Sequence, residues 1–249
     1  GEGRSRTNIG LPGLQMDLLQ EIQKVNKNIV LVVMSGRPLD LSWEDQNIPA
    51  IVQAWHLGSK SGDAIAQVLY GDYNPSGKLT MSFPRNVGQV PVYYNFKNTG
   101  RPSTSIEQVT NSGYADVENS PLYSFGYGLS YTEFKYSDFE ISSSSMTKDS
   151  KINASIKVTN TGNYKGEEVV QLYLRDIVGS IARPMKELKG FEKIELNPGE
   201  SKIVNFEIEN SLLEFYSYNN VWESEPGKFH VFIGSDSNVR EHKEFYLTD

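Results

Sequence analysis

Gly71 to Pro84, GDYNPSGKLTMSFP, reads as a turn that leaves a helix and enters a strand. Asn74 and Pro75 initiate the turn and Gly77 relieves the backbone. Leu79, Met81 and Phe83 then alternate with Thr80 and Ser82, which predicts a strand stopped by Pro84. Upstream, Asp63 to Tyr70 has the helical period, with Ala64, Ile65, Val68 and Leu69 expected inward after a glycine-rich turn at Gly58 to Gly62. Ala50 to Trp55 and Ile29 to Met34 are unbroken apolar runs, as expected of parallel strands covered on both faces. Before them, Leu14, Leu18, Ile22 and Val25 share one face of an amphipathic surface helix. Strands alternating with helices at this spacing imply βαβ units.

Downstream of Pro84 the period is lost until about residue 132, and Gly, Asn, Ser, Tyr and Pro dominate. A connection this long is either packed on a neighbour or functional. From Phe134 the period becomes two: Ile152, Ala154, Ile156 and Val158; Val170, Leu172 and Leu174; Ile194 and Leu196; Phe206 and Ile208; Phe229, Val231 and Ile233. Turn signals at Asn160 to Asn163, Asn197 to Glu200 and Glu225 to Lys228 separate these runs, as in a β-sandwich that needs no helix. The fold class is therefore α/β plus all-β, with a domain at 1–131 and a second at 132–249. Two domains also suit a chain of 249 residues.

A net charge of −7 argues against a nucleic-acid partner, which would need clustered Lys and Arg. With no cysteine there are no disulfides or thiolate metal sites. No apolar run reaches the roughly 20 residues that span a bilayer, so no membrane partner is expected. The chain opens at Gly1, within a motif and without Met or a leader pattern, which reads as a processing or expression boundary.

The opening stretch together with Phe125 to Thr132, FGYGLSYT, resembles the carboxyl-terminal half of a family-three glycoside hydrolase, of the bacterial periplasmic β-glucosidase type. The resemblance continues through GEGRSRT at Gly1 to Thr7, RPSTS from Arg101, RPMKELKGFEKIELNPGES from Arg183 to Ser201 and EPGKFHVFIG from Glu225 to Gly234. It implies a partial α/β sandwich with a parallel-type sheet, followed by a fibronectin type III-like β-sandwich. It also implies retaining hydrolysis of terminal β-D-glucosyl residues, no cofactor, and a periplasmic or extracellular location. The expected partners are β-glucoside oligosaccharides or aryl glucosides and an amino-terminal barrel of the same protein. Oligomeric state stays open, a homodimer included.

Retention needs two carboxyl groups about 5–5.5 Å apart, a nucleophile and a proton donor. The family's nucleophile lies in an SDW segment of the barrel, and no DW dipeptide occurs here; Ser137 to Phe139, SDF, reads as an edge-strand look-alike. The resemblance makes Glu2, in Glu2 to Arg6, the candidate proton donor. A general acid must keep its proton near neutral pH, which requires burial or a neighbouring carboxylate. Flanked by Arg4 and Arg6 alone, Glu2 would be ionised, and because the nucleophilic Asp is missing from these 249 residues they are expected to be inactive by themselves. The reading from another class is a non-catalytic carbohydrate-binding or structural module.

Gly71 to Lys78 lacks both the spacing and the following helix of a phosphate loop, and Phe83 stands where a calcium loop would close with Glu. Trp55 and His56 end a parallel strand, where α/β sheets bind ligands, so both are candidate sugar contacts; core Trp and plain loop His are the alternatives. Arg101 lies among Tyr93, Tyr94, Tyr114, Tyr123, Tyr127 and Tyr131, a candidate wall of a carbohydrate cleft or packing at a domain interface. Arg183 and Pro184 read as packing residues. No GxSxG elbow is present, and His56, His230 and His242 show no metal-ligand spacing, so no metal site is expected.

Overall fold

The computed structural model describes residues 3–102 and 111–249. The chain forms two compact units, one of Gly1–Tyr73, Met81–Val92 and Arg101–Ser124, the other of Asn74–Thr80, Tyr93–Gly100 and Phe125–Asp249.

The first unit contains α1 (Gln15–Val25), β1 (Val30–Val33), α2 (Ser42–Asn47), β2 (Ala50–Gln53) and α3 (Ser61–Tyr70). β1 and β2 pair in parallel, Val30 opposite Ala50 through Val33 opposite Gln53. Asp17 in the first turn and Lys24 in the last complement the α1 dipole. α3 ends because Gly71 takes the left-handed conformation, φ 82°, and its N–H bonds to the Val68 carbonyl.

The apolar stripes of this unit are not buried as expected. Leu18 of α1 is 62% exposed and Val25 86%; only Leu19 of that helix is buried. No residue of α3 is buried, and of β1 only Val33 is. An unbroken apolar run tells that a strand's faces are apolar, but two strands and their helices cannot cover both of them. α2, not expected from the sequence, lies between the parallel β1 and β2 and makes them a βαβ unit, whereas Leu79 to Phe83 forms no regular strand. Phe83 instead makes an isolated antiparallel bridge with Tyr123.

Described parts of the long connection are packed. In the first unit the buried Gln89 accepts from the Arg85 N–H at 2.6 Å and donates to the Glu118 carbonyl at 2.7 Å. Tyr123 donates to Asp45 Oδ1 at 2.7 Å and packs edge-on against Phe83.

The second unit is a closed sandwich. Its three-stranded sheet runs β3 (Phe134–Ile141), β5 (Ile152–Asn160), β8 (Ser201–Ile208). Its five-stranded sheet runs β4 (Ser145–Met146), β12 (Lys243–Leu247), β11 (Gly227–Gly234), β6 (Gly166–Asp176), β7 (Glu187–Leu196). A single-turn helix α4 (Asn210–Leu213) and the small pair β9 (Phe215–Tyr216) and β10 (Trp222–Glu223) complete it. The period-two residues named from sequence are all buried, from Ile152 to Ile233. Asp138 of the SDF look-alike sits at the bulge of the edge strand β3, exposed.

Asn74 to Thr80 and Phe125 to Thr132 are both strapped to the start of β6. Asn74 Oδ1 accepts from the Ser130 hydroxyl and the Tyr131 N–H, each at 2.8 Å, while its Nδ2 donates to the Lys165 carbonyl. Lys78 forms a buried ion pair with Glu168 at 2.9 Å and donates to the Gly128 carbonyl. Gly126, at φ 82°, lies so close to Gln171 that a Cβ would sit 2.2 Å from its Oε1. Tyr94 stacks on Phe125 at 4.2 Å and accepts from the Leu188 N–H through its hydroxyl, so this tyrosine is packing material. Arg183 is too: it pairs with Glu187 at 2.8 Å and lies over the Phe215 ring.

Asn160, fully buried, closes one end of the sandwich. Its Oδ1 accepts from Thr132 Oγ1 at 2.6 Å and the Gly162 N–H at 3.1 Å; its Nδ2 donates to the carbonyls of Tyr164 at 2.7 Å and Leu196 at 3.0 Å. Asn160→Ala leaves these partners unsatisfied and is expected to cost about 3 kcal/mol, read as a lower urea midpoint for unfolding of the sandwich. An unchanged midpoint would contradict this role.

Candidate functional site

In the first unit, the carboxyl ends of β1 and β2 lie side by side. After β1 come Ser35, Gly36 and Arg37; after β2 come Trp55 and His56. Gln53 Nε2 donates to Ser35 Oγ at 3.2 Å, and Ser35 Oγ donates to the Arg37 carbonyl. The His56 ring is so near Gly36 that a Cβ there would stand 2.7 Å from Nε2, so only glycine admits the ring. Trp55 takes φ 50°, an uncommon conformation for a bulky residue, and its ring meets Phe83 edge-on at 5.9 Å.

Arg37 organises the edge. Its Nη2 donates to the Arg6 carbonyl at 2.6 Å and the Asn8 carbonyl at 3.2 Å, and the Asp40 N–H donates to the Ile9 carbonyl. The tract that follows Glu2 is thereby fixed along the carboxyl edge of the sheet. Glu2 itself lies outside the described residues. A groove of about 680 Å³ opens between this tract, α1 and β1, lined by Arg4, Arg6, Leu18, Ile22, Leu31 and Met34 among others. Its mainly apolar wall is the uncovered side of the helix–strand layer.

Trp55 and His56 stand together at this edge, Trp55 half-buried and His56 exposed. Arg101 is also exposed, and its carbonyl accepts from the Ser112 N–H at 2.7 Å. Among the described residues, no hydrogen bond, ion pair or ring contact joins Arg101 to Trp55 or His56. Lys78, the cation of the phosphate-loop look-alike, is committed to Glu168.

Two features were not legible in the sequence. The expectation that the histidines stay apart fails for two of them: His230 and His242 stack at 4.1 Å, beside Glu244. They are twelve positions apart in sequence, and only the register of β11 on β12 brings them together. The other feature is Glu44, 1% exposed, whose two carboxylate oxygens have no hydrogen-bond partner among the described residues. Burial, with a smaller contribution from Asp40, raises its pKa.

Known proteins match this chain in sequence and in fold. The model of the glycosyl hydrolase family 3 C-terminal domain matches residues 1–131, and that of the fibronectin type III-like domain matches residues 168–237. The chain belongs to glycosyl hydrolase family 3. It is 53% identical to a periplasmic beta-glucosidase of Salmonella typhimurium, across 99% of this chain and 32% of that protein. A beta-xylosidase of Formosa agariphila is 40% identical across 100% of this chain and 34% of its own length. A solved β-glucosidase of Listeria innocua, in complex with glucose, superposes with a TM-score of 0.93 at 38% identity, over 100% of this chain and 35% of that one. The chain thus spans about a third of the length of the curated relatives it matches. The two-part architecture, an α/β layer and a fibronectin type III-like sandwich, is that of this family 3 region. Among the described residues no helix is long and apolar enough to cross a membrane.

The raised pKa of Glu44 has a stability consequence. Unfolding lets the carboxyl ionise once pH exceeds its ordinary value of 4.5, so stability falls as pH rises from there to the folded pKa. Glu44→Gln removes this loss. The variant is expected to melt higher than the parent at neutral pH and to converge with it at pH ~4; a gain that is the same at both pH values would refute the assignment.

Proposed function

We propose that these residues form the carboxyl-terminal part of a retaining β-glucosidase that releases terminal non-reducing β-D-glucosyl residues. Residues 1–131 are its α/β part and 132–249 its sandwich. The observation that carries the reading is the 53% identity to a periplasmic beta-glucosidase, sustained over 99% of the chain. Beta-xylosidases at 40% and 41% stand among β-glucosidases at 39–42%, so the choice of a glucoside rests on the 53% relative. The solved Listeria innocua enzyme is described with laminaribiose and with glucose, in keeping with β-glucoside oligosaccharides as substrates.

In this reading Glu2 protonates the leaving oxygen and later takes the proton from water. Arg37 is its positioning residue, through the backbone of the tract that follows. Trp55 and His56 line the cleft, and Arg101 is a further contact. The nucleophilic Asp comes from an amino-terminal barrel of the same protein. The open apolar face of α1 and β1 supports such a neighbour, because an apolar stripe left in water marks a surface meant to be covered. Export to the periplasm is proposed from the same relative.

The test is Glu2→Gln in the full-length enzyme, assayed on two β-glucosides. On an alkyl glucoside, whose leaving group needs protonation, the rate should fall about 10²–10⁴-fold. On an activated aryl glucoside the first step should survive, and added azide, a nucleophile that needs no base, should restore turnover. An unchanged rate on the alkyl glucoside would end the assignment of Glu2. The 249 residues expressed alone should not hydrolyse either substrate; turnover by them would place the nucleophile in this chain.

A further inference from the structure

The hairpin of β11 and β12 carries a side-chain cluster that glycoside hydrolysis does not use. His230 and Glu244 are directly opposite in its antiparallel register, so their side chains share one face. His242 precedes Glu244 by two residues, the spacing that returns a side chain to the same face. His230 Nε2 stands 3.1 Å from Glu244 Oε1, and the rings of His230 and His242 stack at 4.1 Å, tilted by only 15°. One ligand atom from each of the three residues lies within 4.8 Å of the others.

We propose that His230, His242 and Glu244 form a surface site for a divalent transition-metal ion, Zn²⁺ in the first place, that clips the last strand of the sandwich to its neighbour. Two imidazoles and a carboxylate are a donor set that suits zinc. Zinc bonds of ~2.0–2.2 Å place tetrahedral ligands roughly 3.4 Å apart, so binding requires the two stacked imidazoles to turn out of parallel until their in-plane lone pairs converge on the ion, with the exposed His242 as the ring free to turn. An open fourth position is left for water.

The surroundings support the assignment. His242 Nδ1 lies 3.2 Å from the Arg240 carbonyl. Donating its N–H there leaves Nε2 as the free lone pair, and a bond from the other ring nitrogen to a carbonyl is what orients metal-bound histidines. His230 is part-buried at the base of the cluster. Lys228, 2.9 Å from Glu244 Oε2, holds the other carboxylate oxygen and leaves Oε1 to the metal. Arg175, opposite His230 on β6, and Lys228 add positive charge near the ion. That charge weakens capture of a hard cation held by charge alone more than that of an ion bonded by imidazole nitrogen.

The untagged protein, stripped with a chelator, would be titrated with ZnCl₂ by calorimetry. One equivalent should bind at this site and raise the unfolding temperature, with Mg²⁺ and Ca²⁺ silent. His242→Ala, an exposed residue outside the strand, should weaken that binding at least tenfold with the metal-free melting temperature unchanged; Glu244→Gln should do the same, whereas His56→Ala should not. With Cu²⁺ as a spectroscopic probe, electron paramagnetic resonance should show coupling to two nitrogens, reduced to one in His242→Ala. Absence of Zn²⁺ binding, or binding and spectra indifferent to His242→Ala and Glu244→Gln, would overturn the site.

Discussion

The sandwich depends on one buried amide. Asn160 ends β5 in the three-stranded sheet, yet its side chain holds the Leu196 carbonyl at the end of β7 in the other sheet. Its remaining hydrogen-bonding capacity goes to Thr132, Gly162 and Tyr164, and its backbone N–H bonds to the Glu200 carbonyl. Apolar packing between sheets is non-directional and would tolerate sliding. A buried amide with two donors and two acceptors all used tolerates none, since any slip leaves unsatisfied groups away from water. The hydrophobic core sets that the sheets meet, and Asn160 sets where.

The same logic places Asn74 to Thr80 and Phe125 to Thr132 on β6. Asn74 and Lys78 come from one, Ser130 and Gly128 from the other, and they bond to each other as well as to Lys165 and Glu168. Glu168 also accepts from the Val169 N–H, so its buried charge is met from two directions. A buried ion pair contributes little net stability over an apolar substitute, but a half-broken one is costly. Its effect here is register: segments far apart in sequence can lie on β6 in one way only.

What the sequence disclosed follows from the range of each interaction. The sandwich strands were legible because alternation is local: Ile152, Ala154, Ile156 and Val158 announce an inward face before any partner is known. Strand order was not, because β4 joins β12 in parallel and β11 joins β6 only through chain folding. The pairing of His230 with Glu244 belongs to that order, which is why spacing hid it. In the first unit, the strands and α1 were legible, but their covering was not, since an apolar run records a preference and not a neighbour. The place of Trp55 and His56 after a strand was legible from the apolar run before them. Arg37 escaped, because an arginine that bonds main-chain carbonyls twenty-nine and thirty-one positions upstream leaves no local pattern.

The two units therefore hold their shape by different means. In the sandwich, burial of alternating side chains supplies the stability and a few polar bonds choose the arrangement. The first unit has its apolar stripes largely in water, and its internal order rests on directional contacts: Arg37 on the Arg6 and Asn8 carbonyls, Gln89 between Arg85 and Glu118, Tyr123 on Asp45. Directional bonds to the backbone fix atoms at the edge of a sheet without needing a closed core behind them. The loop at the carboxyl edge is thus held in position by hydrogen bonds, while the apolar face stays available for whatever packs against it. Precision at the edge and adhesion at the face are separated within one short stretch of chain, so a change to the covering surface need not disturb the loop that Arg37 holds.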